Sequence, residues 1–448
     1  MTPDRDTACP LWEGGKRVTV WSSVLVTSSA PSHLDISGFE FWRNLTFDQR
    51  EETFAELRRT APISWHRPLE SHLLEPDDAQ PGFWGVNTHD LIQKISRNTS
   101  SFSSAKGIFM EDFPDVVTQG SLSFIVTDPP RHKELRGIVW SAFTPGNIKK
   151  LEEDIRRQTR EVVDEIAPLG EADLAVTLCK QLPGRLFANL FGVPPGDLRE
   201  EVMHCAESMA SWSDEEMRGG KEAIELYGDA AFRLNDIALE LVAERRDKPQ
   251  DDLLTWVCQA QTEDGTLEDW EVGSFFSLLS AAANDTTRHT IAHTLWNFER
   301  FPDQKQLWME RMDDPAAGEA LAEEAVRYAT PLLHFRRTCT EDIEIGGVQM
   351  RGGDKVALWY CSGNRDENVW DDPMKFDITR DPNRHVGFGG GGPHYCMGAA
   401  LARLTLRSIF HEVYSRLPDI RIVAEPRFLD ANVVHGIKEL RAEWTPER

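Results

Sequence analysis

Tyrosine is scarce in this chain, with 5 in 448 residues, and the seven cysteines (Cys9, Cys179, Cys205, Cys258, Cys339, Cys361 and Cys396) include no closely spaced pair. An odd, scattered set excludes a disulfide framework and the short-spaced runs that hold zinc or iron–sulfur clusters, and it reads as reduced cytosolic thiols. Positive charge is also in deficit. With 49 basic against 74 acidic residues the formal net charge is −25, so a sequence-independent grip on a phosphate backbone is excluded. Long apolar runs are missing: the stretch from Val18 to Val26 is broken by Ser22 and Ser23 and falls far short of the ~20 residues a membrane span needs. Nor is there a long apolar core followed by a small-residue cleavage site, so neither a membrane anchor nor export is expected and a cytoplasmic location is. Residues 1–33 are expected to be a poorly ordered extension ahead of one large domain, 34–448. A mean hydropathy of −0.43 with 40% hydrophobic residues fits a soluble globular protein.

Helical periodicity dominates what is present. It runs from Asp48 to Arg59, ended by Pro62, then over Ile148 to Ile166, Leu198 to Met209, Glu222 to Arg246, Trp270 to Arg300 and Asp303 to Met312. Ile63 to His66 and Gly82 to Val86 predict a hairpin across a loop containing Pro76 and Pro81, and Ile343 to Ile345 and Lys355 to Leu358 add further strand. Between Phe102 and Thr127 the periodicity is weak, which predicts a semi-ordered loop with apolar tips. The fold class is therefore mainly α with a minor β region. Repeats are absent, and no linker is long enough to divide the chain.

The stretch Phe388-Gly389-Gly390-Gly391-Gly392-Pro393-His394-Tyr395-Cys396-Met397-Gly398 sets one cysteine at the end of a glycine-dense loop, just before a helical pattern that starts near Ala399. A thiolate there gains from the helix dipole and from free N–H groups, and the glycines let the backbone approach a flat group closely. Such a sulfur suits a haem iron, which takes one axial thiolate. A buried cysteine beside a flexible turn is the plain alternative. The residues resemble the haem-binding signature of the cytochrome P450 family, with His394 two before the cysteine and Gly398 two after it. Phe388 stands one residue further from the cysteine than the commonest spacing, as in a subset of bacterial members.

The resemblance extends from about residue 40 to the end and includes Asn284 to Arg288, Trp359 to Asp366 and His435 to Lys438. It implies the P450 fold, haem b buried between helices and ligated by Cys396, and a place for each remaining polar motif. Glu324 and Arg327, three apart on one helical face, would lock the segment before the haem loop, with Arg380 as third member. His132 and Arg136, four apart on one face, would join Arg337 and His385 in holding the two propionates, while Phe388, Gly389, His394 and Gly398 line the haem. Asp285 and Thr286, an acid beside an alcohol in mid-helix, would deliver protons on the oxygen-binding face. Many relatives carry glycine where Ala283 stands.

For substrate, the resemblance points to soluble bacterial enzymes that hydroxylate the ends of branched lipids, sterol side chains, terpenoids or alkanes. It marks Met110, Phe113, Leu279, Ala282, Ala283, Leu332, Leu333 and Val434 as pocket residues, although plain core packing explains any one of them equally well. A monomer is expected. No flavin or nicotinamide fingerprint occurs in strand-to-helix context, so electrons come from outside, by resemblance from ferredoxin and ferredoxin reductase. An acidic ferredoxin would need a basic patch, for which Arg131, Lys133, Arg403 and Arg407 are the candidates. Rival readings are a haem-thiolate protein that binds lipid or senses gas without turnover, and a peroxide-driven enzyme; the Asp285–Thr286 pair speaks against both.

Overall fold

Apart from two-residue strands at Trp12–Glu13 and Lys16–Arg17, the computed structural model describes residues 34–73, 82–143, 145–263 and 265–447. The extension expected over 1–33 otherwise lies outside the described residues, as does most of the loop between the first hairpin strands.

The helices form where the periodicity places them, and their ends follow local chemistry. Helix Phe47–Thr60 opens with a capping box: the Thr46 hydroxyl accepts from Gln49 N at 3.2 Å and the Gln49 side chain accepts from Thr46 N at 2.8 Å. It stops before Pro62, whose ring disfavours helix at the residue ahead of it. The longest helix, Asp269–Arg300, has 32 residues and therefore runs ~48 Å. It is buried on most faces, packed by helices Asp115–Leu122, Gln181–Phe191, Asp197–Ser211 and Ala223–Asp247.

The main sheet has the order Ile63–His66, Phe83–Val86, Lys355–Trp359, His334–Cys339, Phe102–Ser103. Only the pairing of Phe83–Val86 with Lys355–Trp359 is parallel. The expected hairpin is present, with Ile63 opposite Val86. Among the described residues, five smaller sheets complete a mainly α fold with a minor β part, one of them formed by Arg421–Ile422, Arg441–Glu443 and Glu171–Asp173.

Residues 102–127 correct the sequence expectation. Instead of a semi-ordered loop, Asp115–Leu122 is an α-helix followed by a 3₁₀ turn, Ser123–Val126. Ser274 on the long helix fastens both, donating to Gln119 O at 2.6 Å and accepting from Ser123 N at 3.0 Å. Val117, Leu122 and Phe124 are buried there, so tertiary contact supplies what weak local periodicity could not. Helix Gln181–Phe191 was also not legible, because Pro183 and Gly184 occupy its first turn.

Candidate active site

The glycine-dense loop packs against the end of helix His89–Arg97. At Gly392, with φ of +77°, an added Cβ would lie 2.6 Å from Ser96 O, and at Gly390 it would meet Ser96 Oγ at 2.4 Å. Glycine is required at both because backbone touches backbone or a buried hydroxyl. Cys396 N donates back to Phe388 O at 2.9 Å, which closes the loop and turns the cysteine side chain into an interior cavity. Gly398 then caps helix Ala399–Arg416, and its N–H donates to the Cys396 sulfur. Cys396 is exposed to the cavity, yet the protein around it desolvates the thiol and pushes it up, only partly offset by that N–H and by the charges of Arg136 and Arg403. The geometry is that of a metal ligand, because a cation at the sulfur is what the thiolate lacks.

Around this loop the fold gathers cations without counter-charges. Arg337 is buried, its Nε has no hydrogen-bond partner, and Nη1 reaches only the Arg336 carbonyl at 2.8 Å; among the described residues it makes no ion pair. The rings of His132 and His394 lie 4.2 Å apart, and Nε2 of each is buried and unpartnered. Burial, aided by the neighbouring arginines, pushes His132 down to about 4 and His394 to about 2. Arg136 lines the cavity and donates to Tyr395 O at 2.5 Å. An orphaned guanidinium beside orphaned imidazoles calls for an anionic group with several acceptor oxygens. His385 stands apart from this set: its Nε2 is engaged by Glu323 at 2.7 Å, and Glu323 also holds Arg403.

Glu324 and Arg327 are fully buried and paired through both oxygens, each at 2.7 Å. Arg327 continues to the carbonyls of Asn364, Pro373 and Lys375 at 2.9–3.0 Å. Glu324 accepts from Asp377 N at 2.8 Å, Asn383 Nδ2 at 3.0 Å and Arg380 Nε at 3.3 Å. The three residues named from the sequence thus tie one helix to the whole segment 364–383 that leads into the cysteine loop.

Across the cavity runs the long helix. Ala282, Ala283, Thr286, Thr287 and Thr290 line it, and the Thr286 hydroxyl donates to Ala282 O at 2.9 Å. Asp285 faces away from the cavity. Its Oδ1 is 3.8 Å from Arg288 and 3.9 Å from His289, and Oδ2 has no partner. Arg288 instead pairs with Glu207 at 2.5 Å, and Lys180 does so at 2.7 Å. Burial raises the Glu207 carboxyl, but Arg288 and Lys180 outweigh it and hold it down at about 2. Asp285, outcompeted for those cations, is pushed up by burial to about 7, so it can carry a proton near neutrality beside an alcohol that faces the cavity.

Two expectations follow. Thr286→Ala should raise hydrogen peroxide release and cut product per NAD(P)H several-fold; coupling equal to wild type counts against the relay. The folded protein binds the Asp285 proton more tightly than the unfolded chain, whose value is 3.8, so this stabilisation is complete below that value and is lost as pH rises through about 7. The thermal midpoint of Asp285→Asn relative to wild type should therefore improve between pH of about 5 and about 8. A difference that does not change with pH contradicts the assignment.

The cavity encloses about 230 Å³ of space for the centres of water-sized molecules. Of the pocket residues named from sequence, Leu279, Ala282, Ala283 and Leu332 line it, and four do not. Met110 and Leu333 belong to the core around Trp359, Phe113 packs on Tyr227, and Val434 pairs with Leu332 in an isolated antiparallel bridge. Apolar residues of helix Gln181–Phe191, including Leu186, Phe187 and Leu190, line it instead, together with Phe124 and Phe335. Leu186, Phe187 and Leu190 sit at helical spacing, but the same signal marks any core helix.

Glycine-walled access to a poised sulfur, orphaned cations for acidic substituents and a long apolar cavity above them fit a haem-thiolate enzyme. The family profile described as Cytochrome P450 matches residues 221–417. The chain is 36% identical over 429 residues to a methyl-branched lipid omega-hydroxylase of Mycobacterium tuberculosis (strain CDC 1551 / Oshkosh), covering 94% of this chain and 98% of that protein. It is 35% identical over 415 residues to a steroid C26-monooxygenase of Rhodococcus jostii (strain RHA1), covering 91% and 85%. Among solved structures, Mycobacterium marinum cytochrome P450 CYP268A2 in complex with pseudoionone matches with a TM-score of 0.89 at 40% identity, covering 93% of this chain and 100% of that one. The chain belongs to the cytochrome P450 family. It is a monooxygenase whose cofactor is haem b, and it draws electrons from redox partners as bacterial members do.

The candidate docking patch is largely neutralised. Arg131 pairs with Glu134 and Glu271 at 2.6 Å, Arg403 with Glu323, and Arg407 with Glu319 at 3.4 Å. Lys133 is exposed and, among the described residues, makes no ion pair. None of the described helices is long and apolar enough to cross a membrane.

Proposed function

We propose that this enzyme hydroxylates a terminal carbon of a methyl-branched lipid or a sterol side chain, as a monomer in the cytoplasm, with ferredoxin and ferredoxin reductase as electron donors. The observation that carries the reading is the lining of the main cavity: leucines, phenylalanines and alanines from the long helix, from Gln181–Phe191 and from Leu332, with polar groups confined to the threonine edge and the haem side. Such walls hold a hydrocarbon by shape and offer nothing to hydrogen-bond midway along it, so a chain end enters first. The relatives named for omega-hydroxylation and for C26 oxidation support the same choice.

Haem b, ligated by Cys396, supplies the activation of dioxygen and the oxidation of the C–H bond. The chain's own residues do the rest. Arg337, His132 and Arg136 hold the acidic edge of the cofactor, the Glu324–Arg327–Arg380 network fixes the loop that carries the sulfur, and Asp285 with Thr286 moves protons toward the cavity.

Titration with phytanic acid, cholesterol and cholest-4-en-3-one should give low-to-high spin shifts, and turnover should give terminal alcohols by mass spectrometry. Absence of both across the panel overturns the substrate assignment. Because Arg131, Arg403 and Arg407 of the candidate patch are paired, the effect of salt on reduction should rest on Lys133, and Lys133→Glu should remove much of it.

A further inference from the structure

Asp285, His289 and His293 follow one another at four-residue steps down one side of the long helix, while Thr286 and Thr290 line the cavity from another. All three are buried, and the C-terminal segment that ends in Ile437–Glu439 packs on the two histidines. His293 Nε2 donates to His435 O at 3.0 Å, and His289 Nδ1 accepts from Ile437 N at 3.2 Å. Between those contacts stands Gly436, where an added Cβ would lie 3.0 Å from His289 Nε2 and 2.2 Å from Leu429 Cδ1. The His289 ring is therefore held in place by a remote stretch of backbone.

That contact fixes its tautomer. A backbone N–H only donates, so Nδ1 of the neutral ring carries no proton and Nε2 does. Burial, aided by the charge of Arg288 and by His293, holds the ring well below the ordinary histidine value, so it stays neutral near pH 7. Its Nε2–H has no hydrogen-bond partner. Asp285 Oδ1 is 3.9 Å from it, and Asp285 Oδ2 is unpartnered as well. A fixed neutral donor and a buried acid stand about 1 Å beyond hydrogen-bond length, at the i,i+4 spacing that lets helical side chains meet.

The other charged groups around Asp285 are committed. Arg288 Nη1 is 3.8 Å from Oδ1 but is taken by Glu207 of helix Asp197–Ser211, which also takes Lys180, just ahead of helix Gln181–Phe191. Arg288 Nε is without a partner too, yet its guanidinium is anchored on Glu207. Cys179 faces Arg288, and burial keeps its thiol neutral. Glu207, with both cations, is held at about 2 and keeps its charge. A carboxylate tied to cations in that way would not take a proton back near neutrality. A single uncharged N–H stabilises a carboxylate much less than a cation does, so it can steady the ionised acid and still let it be reprotonated.

We infer that His289 is the positioning residue of the proton relay: its Nε2–H receives the Asp285 carboxylate each time the acid has passed its proton toward Thr286, and holds it until solvent restores the proton. The inference rests on the Asp285–Thr286 relay and adds the group that resets it. The ring itself neither gains nor loses a proton. The O–H bond of Asp285 breaks, its proton leaves toward the cavity, and a proton from water re-forms the bond.

The test uses haem-loaded full-length protein and two readouts across pH: the thermal midpoint of each protein relative to the same protein carrying Asp285→Asn, and product per NAD(P)H. In wild type both should turn at about 7. His289→Leu removes the donor to the carboxylate, so the acid keeps its proton to higher pH and both turning points should move up by about half to one pH unit, the worth of one neutral hydrogen bond. His289→Met, which keeps the bulk and offers a sulfur to Ile437 N but no donor, should do the same. His289→Gln, whose amide can accept from Ile437 N and donate to Asp285, should return both turning points close to wild type. A turning point that is present in wild type, absent from product yield in Asp285→Asn, and unmoved in His289→Leu and His289→Met leaves the relay standing and overturns the inference. No turning point in wild type removes both. A shift that His289→Gln does not reverse, or failure of both the leucine and methionine variants to fold, assigns the ring to structure alone and overturns the inference as well.

Discussion

Cys396→Ser should abolish the thiolate-type Soret band of the reduced carbon-monoxide complex and lower product formation more than ~100-fold. That is beyond the range typical of substitutions one shell away from a metal, because the ligand atom itself is lost. The sulfur is the one thiol that the loop from Phe388 to Gly398 turns into the cavity, and desolvation there favours its neutral form unless a cation is bound. A serine hydroxyl has a far higher intrinsic pKa and will not ionise in the same surroundings. Arg337, His132 and Arg136 remain in the variant, so some haem can still bind with an altered spectrum. Retention of the thiolate-type band in Cys396→Ser would remove the basis of every functional statement made for this chain.

Glu324→Ala should prevent stable haem incorporation and destabilise the protein by about 3–5 kcal/mol, the usual cost of leaving one partner of a buried ion pair alone. Arg327 is fully buried and would keep its three carbonyl contacts but lose its only anion, and Asp377 N, Asn383 and Arg380 would lose an acceptor together. Because those groups sit on the segment that leads into the cysteine loop, the expected damage is to loop geometry as well as to stability. Glu324→Gln, which keeps the shape and part of the hydrogen bonding, should be intermediate in both haem content and thermal midpoint. Full haem loading with an unaltered spectrum in Glu324→Ala rules out this role.

The polar half of the site was legible because its motifs match those of the family the chain resembles, not from their spacing alone. Glu324 and Arg327 three apart and His132 and Arg136 four apart each share a helical face before any tertiary contact exists, whereas the adjacent Asp285 and Thr286 stand on different faces. The acceptors that complete them were not legible. Nothing near Arg327 in sequence announces the carbonyls of Pro373 and Lys375, and nothing near Asp285 shows that Glu207, some eighty residues earlier, would take Arg288 away from it. His385 illustrates the same limit: its ring is claimed by Glu323, the neighbour of the residue the motif singles out.

Chemistry-bearing residues were thus determined by the sequence alone: the single cysteine on its glycine loop, the buried acid–base pair, the acid–alcohol step and a mainly helical chain without a membrane-spanning run. Only the tertiary structure decided which apolar side chains face the substrate. It drew Leu186, Phe187 and Leu190 into the cavity and left Met110, Phe113, Leu333 and Val434 outside its lining. The reason is physical. A polar function needs a particular atom at a particular place and leaves a local mark, whereas hydrophobic burial is non-directional and proportional to area, so a leucine in the core and a leucine in a pocket are written identically until the chain closes around them.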